Sequence, residues 1–110
     1  KPYNSLSNFK LYVEVIQVCD RMLSINPSSV EDLNKKADAL SYLDRYEEAI
    51  QTCDRALVID QNNIFAWNTK GGALLGLQRY DESLQAYNQT LVIDPYNSVS
   101  RAQRGSDSSL

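Results

Sequence analysis

The strongest constraint on this chain is an internal repeat of 34 residues. Residues 64–97 read IFAWNTKGGALLGLQRYDESLQAYNQTLVIDPYN, and they align without a gap on residues 30–63, VEDLNKKADALSYLDRYEEAIQTCDRALVIDQNN. The two copies are identical at 14 of the aligned positions. A fixed period of this length is typical of solenoids, in which similar supersecondary units stack and bury a continuous core between them. The repeat therefore predicts a stack of similar units.

Within each copy, apolar residues recur at helical spacing in two segments that are joined by a short turn. In the first copy, Leu33, Ala37 and Leu40 fall on one face of a helix, and Asp44-Arg45 makes the turn to the next helix. Alanines in the second helix allow neighbouring helix backbones to approach closely. The predicted helices run over residues 30–43, 46–59, 64–77 and 80–93.

The two ends of the chain continue the same frame without completing it. Residues 1–29 are interpreted as a partial repeat, mainly its second helix at about residues 10–25. Residues 98–105 are in frame as a capping or truncated helix, and a capping helix needs a polar outer face. Residues 106–110 are predicted to be a disordered tail.

The second copy also carries residues that point to a known family, namely Trp67, Gly71, Leu74, Tyr80, Tyr87 and Pro95. The first copy adds Ala37, Tyr46, Ala49 and Ala56. This pattern resembles the tetratricopeptide repeat (TPR), a 34-residue helix–turn–helix unit. The resemblance implies an all-α fold, a right-handed α–α superhelix of antiparallel helix pairs with five to six helices, in which residues 30–63 and 64–97 are complete repeats. Lys36 and Lys70 depart from the pattern, because the family prefers leucine there.

Composition excludes several classes of function. The net charge of −3 at pH 7 disfavours binding to phosphate backbones, so no nucleic-acid partner is expected. No apolar run approaches the roughly 20 residues of a membrane helix, so no membrane insertion is expected. The chain has no histidine, which removes the commonest general base and metal ligand. We therefore predict that this chain is not an enzyme, has no catalytic residue and binds neither a metal nor a cofactor.

The two cysteines lie one repeat apart, and Tyr87 takes the same position in the following copy. A position that accepts either cysteine or tyrosine is interpreted as a packing position on the second helix. A disulfide would need Cα atoms within about 7 Å, whereas packed helices lie about 8–10 Å apart. Cys19 and Cys53 are therefore predicted to be buried free thiols, which fits a reducing, cytoplasmic location.

The resemblance implies that the concave face of the superhelix binds the ligand and is built mainly from residues of each first helix. In the first complete repeat these residues are Glu31, Asn34, Asp38, Ser41 and Tyr42, and in the second they are Phe65, Asn68, Gly72, Leu75 and Gly76. Val99 and Ala102 begin the same series in the partial third repeat. Gly72 and Gly76 have no packing reason in the sequence pattern, and they would lower the floor of a groove.

Two pairs of side chains on this face suggest a groove for a peptide or a helix. Asn34 and Asn68 carry carboxamides that can donate to and accept from an extended peptide backbone. Phe65 and Leu75 would form an apolar pocket for an anchor side chain. The plainer alternative is that both asparagines are merely solvated helix residues.

Charge predicts which partners suit this face. The chaperone-binding members of the family hold a C-terminal carboxylate with basic residues, including a lysine where this chain has Asn34. Glu31 and Asp38 would repel such a carboxylate, so we expect a neutral or basic protein or peptide partner. The predicted function is a non-catalytic protein–protein interaction scaffold. Two alternatives stay open, namely a self-assembly module that stacks or exchanges helices into homo-oligomers through its end repeats, and an accessory segment of a larger enzyme or regulator.

Overall fold

The computed structural model describes residues 2–95 of the chain, with side chains for residues 8–95. The described region consists of five helices and contains no strand. They are α1 (Pro2–Ile25), α2 (Val30–Tyr42), α3 (Tyr46–Ile59), α4 (Ile64–Gly76) and α5 (Tyr80–Ile93). This confirms the predicted all-α solenoid. The predictions for residues 98–105 and 106–110, including Val99 and Ala102, lie outside the described residues.

Helix α1 is longer than the sequence pattern predicted. It begins at Pro2 rather than at about residue 10, and proline is favoured at a first helical position because its fixed φ is already helical. Lys10 stands one repeat before Asp44, whose φ of 61° ends the first helix of its repeat. Lysine is a good helix former with no preference for the left-handed region, so the chain continues as one helix through Lys10. The division of the chain into repeats stays a prediction.

Each first helix is capped by a polar side chain in the preceding loop. Ser29 Oγ accepts a hydrogen bond from the Asp32 backbone N–H at 3.4 Å, and Asn63 Oδ1 accepts one from the Ala66 N–H at 2.9 Å. These bonds satisfy N–H groups that have no partner within the helix. Asp44 and, in the following repeat, Gln78 (φ 62°) then turn the chain sharply into the second helix.

Small side chains on the second helices make the close packing possible. Ala49, Cys53 and Ala56 of α3 have no exposed surface, and they lie against both α2 and α4. Helices pack on their neighbours in chain order, and α2 also contacts α4 across the stack. As a result, α2 and α4 lie side by side, and their remaining faces form one continuous surface.

Two ion pairs explain the lysines that depart from the family pattern. Lys36 Nζ on α2 lies 2.6 Å from Asp20 Oδ1 on α1, and Lys70 Nζ on α4 lies 2.8 Å from Asp54 Oδ1 on α3. Each lysine therefore joins the first helix of one repeat to the second helix of the preceding one. Because the aspartates are about half exposed (53% and 52%), each pair contributes no more than about 1 kcal/mol.

Both cysteines are buried and free, as the sequence predicted. Burial raises the pKa of the Cys53 thiol to about 12, with a smaller contribution from the charge of Asp54. Burial likewise raises the pKa of the Cys19 thiol. Both thiols are therefore protonated at neutral pH.

We expect the folded protein to react with a thiol reagent more than about tenfold slower than the urea-unfolded chain, because the thiolate is the nucleophile.

The Cys53 thiol should also lower the stability of the protein at alkaline pH. Its pKa is 9.0 when unperturbed and about 12 in the fold, so the folded state binds more protons between these values. Urea midpoints should therefore fall as the pH rises through this window, and they should fall less in Cys53→Ala. An equal fall in both proteins would contradict the assignment to Cys53.

Candidate functional site

The exposed face of α2 carries a row of predicted site residues at helical spacing. Glu31, Asn34, Asp38 and Tyr42 follow one another at intervals of three or four residues, which places them on one face of the helix. Phe65, in the first turn of α4, lies beside the beginning of this row and is 71% exposed. Four predicted residues line one cavity of about 290 Å³ together with Lys35, namely Glu31, Asn34, Asp38 and Phe65.

The Asn34 side chain already makes a hydrogen bond within the fold. Its Nδ2 donates to Asn63 Oδ1 at 3.1 Å, and the same oxygen accepts from the Ala66 N–H. Because Asn63 must present its oxygen to the helix, the Asn34 amide is oriented with its nitrogen toward Asn63. The Asn34 Oδ1 is buried and finds no hydrogen-bond partner within the described region. Asn34 thus joins α2 to the loop residue that caps α4, a role that the sequence analysis did not predict.

The negative charge of this cavity is concentrated on Asp38. Glu31 lies 3.4 Å from Lys35, a solvent-exposed pair of opposite charges one helical turn apart. Asp38 has no ion pair with any residue in the described part of the chain, and partial burial raises the pKa of its carboxyl. Lys35 was not among the predicted site residues, although the Glu31–Lys35 spacing of four residues was a usable signal.

A second cavity, of about 670 Å³, opens at the other end of the row. Tyr42 is 61% exposed and stacks on Tyr12 of α1, with ring centroids 4.7 Å apart and ring planes 10° from parallel. Phe9, Asn8, Leu43 and Asp44 complete the lining. The sequence analysis missed Phe9 and Tyr12 because it assigned the first residues of the chain to a truncated repeat.

The predicted residues of α4 do not gather into one pocket. Asn68 is exposed and Leu75 is half exposed, while Ser41 on α2 is half-buried. Gly76 is exposed, but a Cβ atom at this position would overlap the ring of Tyr46. Gly76 therefore has a packing reason that the sequence pattern did not show, and its place in a groove floor stays a prediction.

Gly72 is only partly open. A Cβ atom there would lie 3.5 Å from the Tyr87 hydroxyl, which is an ordinary van der Waals distance. The Tyr46 ring that lies against Gly76 belongs to the preceding repeat, so the sequence pattern of one helix face did not show it.

Residues 2–95 contain neither a metal site nor a membrane-spanning helix. No group of three or more His, Cys, Asp and Glu side chains in this range has the arrangement of a metal site. None of its helices combines the length and the apolar character that crossing a membrane requires.

Comparison with known sequences identifies a family. A family model described as "Anaphase-promoting complex, cyclosome, subunit 3" matches residues 10–90, which is most of the chain. Comparison with curated protein sequences gave no match.

Several solved structures share the fold. The first TPR domain of the human RPAP3 protein is 21% identical with a TM-score of 0.79, covering 92% of this chain and 81% of that one. The Arabidopsis OM64 TPR domain is 24% identical with a TM-score of 0.79, covering 90% and 82%. The first TPR of Spaghetti (RPAP3), bound to the HSP90 peptide SRMEEVD, is 21% identical with a TM-score of 0.78, covering 92% and 82%. At these identities the likeness establishes the fold alone.

Proposed function

This chain belongs to the family of anaphase-promoting complex, cyclosome, subunit 3, which is TPR-like, and we propose that it is a non-catalytic protein–protein interaction module. Its ligand is a peptide or a helix that lies in the concave face formed by α2 and α4. The observation that carries this proposal is the cavity of about 290 Å³ that Glu31, Asn34, Asp38 and Phe65 line together. Concave pockets with an exposed aromatic ring and a few polar groups are typical ligand sites.

The ligand backbone and an apolar anchor use different side chains of this face. The exposed Asn68 amide is available to an extended backbone, whereas the Asn34 amide is held by Asn63 and its Oδ1 is buried. Phe65 and Leu75 are 71% and 50% exposed, and they provide apolar area for an anchor side chain. This distribution suits an extended segment that runs across both repeats.

The charge of the face favours a neutral or basic ligand. The peptide in the Spaghetti structure, SRMEEVD, has three acidic residues among its last four. In this chain, Asp38 has no neutralising partner in the described region and Glu31 is only weakly paired with Lys35. An acidic peptide would therefore meet charge repulsion, whereas a basic one would be attracted.

We place the module in the cytoplasm, because its free buried thiols suit a reducing compartment.

A second candidate function, self-assembly, rests on the exposed face of α5. Leu84 and Leu91 are 61% and 41% exposed, whereas their counterparts one repeat earlier, Ile50 and Leu57, are covered by α4. Two such faces from separate copies could pack together into homo-oligomers. Light scattering that stays at the monomer mass up to millimolar concentration would remove this candidate. The same module could also serve as an accessory segment of a larger enzyme or regulator.

Selection of peptides from a random display library tests the groove. A peptide selected on the wild-type protein should bind Leu75→Arg at least about tenfold more weakly, because a bulky charge would replace an anchor contact. The matched control is Leu84→Arg, which places the same charge on an exposed leucine of α5. It should change the dissociation constant, measured by fluorescence anisotropy, by less than about twofold.

Circular dichroism must first confirm that both variants fold. Equal binding by Leu75→Arg and wild type would contradict the groove proposal. A loss of binding in Leu84→Arg instead would move the ligand site to the α5 face.

A further inference from the structure

Each of the two cavities on α2 combines an exposed aromatic ring with a carboxylate. The first, which we call the Phe65 subsite, contains Phe65 and Asp38. The second, which we call the tyrosine subsite, contains the stacked rings of Tyr12 and Tyr42 and the carboxylate of Asp44. The subsites differ in origin, since α4 supplies the ring of the first and α1 supplies a ring of the second.

This combination suits a cationic side chain. A guanidinium or ammonium group is attracted to the face of an aromatic ring, and a carboxylate beside the ring adds a charge-assisted hydrogen bond. Asp38 has no ion pair among residues 8–95, and the Tyr46 hydroxyl donates to only one oxygen of Asp44, at 2.8 Å. Among residues 8–95, no lysine or arginine lines the tyrosine subsite, and Lys35 in the Phe65 subsite lies next to Glu31. Both carboxylates can therefore accept a cation from a ligand.

The helix between the cavities sets their separation. The Phe65 subsite is centred near residues 34–35 of α2, and the tyrosine subsite begins at Tyr42. At about 1.5 Å of rise per residue, the centre of the Phe65 subsite lies about 11 Å from Tyr42 along the helix axis. In an extended peptide, side chains four residues apart point to the same side and are separated by about 13 Å. Side chains two residues apart span only about 7 Å.

From this geometry we propose that the ligand is an extended segment with two basic side chains four residues apart, one in each subsite. This inference rests on the proposed peptide-binding function and names the chemistry of the ligand. The Phe65 subsite holds one cation between Asp38 and the phenyl ring. The tyrosine subsite holds the other against the open face of Tyr42 and the carboxylate of Asp44. A segment with a single basic residue, or with two at another spacing, fills only one subsite.

Short labelled peptides test the spacing. The probes are fluorescein-labelled Gly–Ser peptides with arginines two, four or six residues apart, and a control in which glutamine replaces both arginines. Fluorescence anisotropy should give the four-residue spacing about fivefold or more tighter binding than the other two spacings. The glutamine control should bind more weakly than all three. Equal binding of the three spacings would overturn the proposal.

Two variants with matched controls locate the cations. Asp38→Asn should weaken binding of the four-residue-spaced peptide by about fivefold and remove its advantage, whereas Glu47→Gln, which removes an exposed carboxylate outside both cavities, should change it by less than about twofold. Tyr42→Ala should weaken binding of the same peptide by about as much as Asp38→Asn. Its control is Tyr80→Ala, which removes an exposed tyrosine of α5 and should leave the affinity nearly unchanged. Equal losses in Glu47→Gln and Asp38→Asn would show general attraction to an acidic protein and would overturn the two subsites.

The outcome separates this inference from the groove itself. If none of the arginine peptides binds up to millimolar concentration, the two cation subsites are wrong. The groove proposal still stands in that case if a library-selected peptide binds wild type and loses affinity in Leu75→Arg. If the library peptide is also insensitive to Leu75→Arg, both proposals fail.

Discussion

Leu74→Ala should lower the free energy of unfolding by about 2–5 kcal/mol, whereas Leu75→Ala should lower it by less than about 1 kcal/mol. The two leucines are neighbours in α4, but Leu74 is only 2% exposed and Leu75 is 50% exposed. Removal of the Leu74 side chain leaves a cavity between α4 and its neighbouring helices, which the close-packed stack cannot fill. The Leu75 side chain faces solvent, so its removal leaves no cavity. Urea unfolding followed by circular dichroism measures both values.

The comparison is decisive because the two substitutions have the same chemistry and nearly the same position. Helix propensity changes equally in both, so it cancels in the difference. A loss of 2–5 kcal/mol is a large part of the about 5–15 kcal/mol that stabilises a small domain. Similar losses in the two variants would mean that α4 does not bury the face assigned to it. A small loss in Leu75→Ala would also qualify Leu75 for binding experiments, because its variants would remain folded.

The helices were predictable because the chain contains two copies of the same 34-residue pattern, and each copy predicts the same two helices. In both copies apolar and small residues recur at helical spacing, and α3 and α5 begin at equivalent tyrosines, Tyr46 and Tyr80. The length of α1 was not predictable in the same way. Its beginning has no second copy within the chain to compare with, and Lys10 stands where the later repeats have a turn residue.

The contacts between repeats were harder to predict than the helices. Lys36 and Lys70 were read as departures from the family, yet each pairs with an aspartate sixteen residues earlier, Asp20 or Asp54. The recurrence of the same lysine–aspartate spacing in both repeats was a signal available in the sequence. A pattern read on one helix face cannot reveal such pairs, because the partner belongs to the preceding repeat.

The candidate site was predicted in part for the same reason. Glu31, Asn34 and Asp38 lie on one face of one helix, so helical periodicity alone brings them together. The hydrogen bond from Asn34 to Asn63 depends on contact between α2 and the loop before α4, which one helix face does not show. Each of two tyrosines contacts the repeat that follows its own. Tyr12 stacks on Tyr42, and Tyr46, which is one repeat after Tyr12, lies against Gly76, which is one repeat after Tyr42.

The three glycines of α4 should respond differently to alanine. Alanine gains about 0.5–1 kcal/mol over glycine within a helix, because it loses less backbone freedom on folding. At Gly71, a Cβ atom would lie 2.9–3.0 Å from three atoms of the Tyr87 ring, closer than side chains pack. Gly71 also accepts a hydrogen bond from the buried Ser83 hydroxyl at 2.7 Å, which fixes α4 against α5. We therefore expect Gly71→Ala to destabilise the fold by about 1–3 kcal/mol.

Gly76→Ala should also destabilise the fold, through a different ring. Its Cβ atom would overlap Tyr46, whose hydroxyl is held by Asp44 at 2.8 Å. If this overlap is the cause, Tyr46→Ala should remove most of the penalty, and the double-mutant cycle should give a coupling of about 1 kcal/mol or more. Additive effects would contradict the contact, because alanine at position 76 would then meet no ring.

Gly72→Ala is the internal control, and it should stabilise the fold by up to about 1 kcal/mol. A Cβ atom at Gly72 meets only the Tyr87 hydroxyl at 3.5 Å, so the gain in helix formation is not opposed by a clash. Urea midpoints of the three variants should therefore rank Gly72→Ala above wild type, with Gly71→Ala and Gly76→Ala below it. Stabilisation by all three substitutions would mean that neither tyrosine ring packs on α4. That result would also mean that Gly76 has no packing reason, which would favour its predicted place in the groove floor.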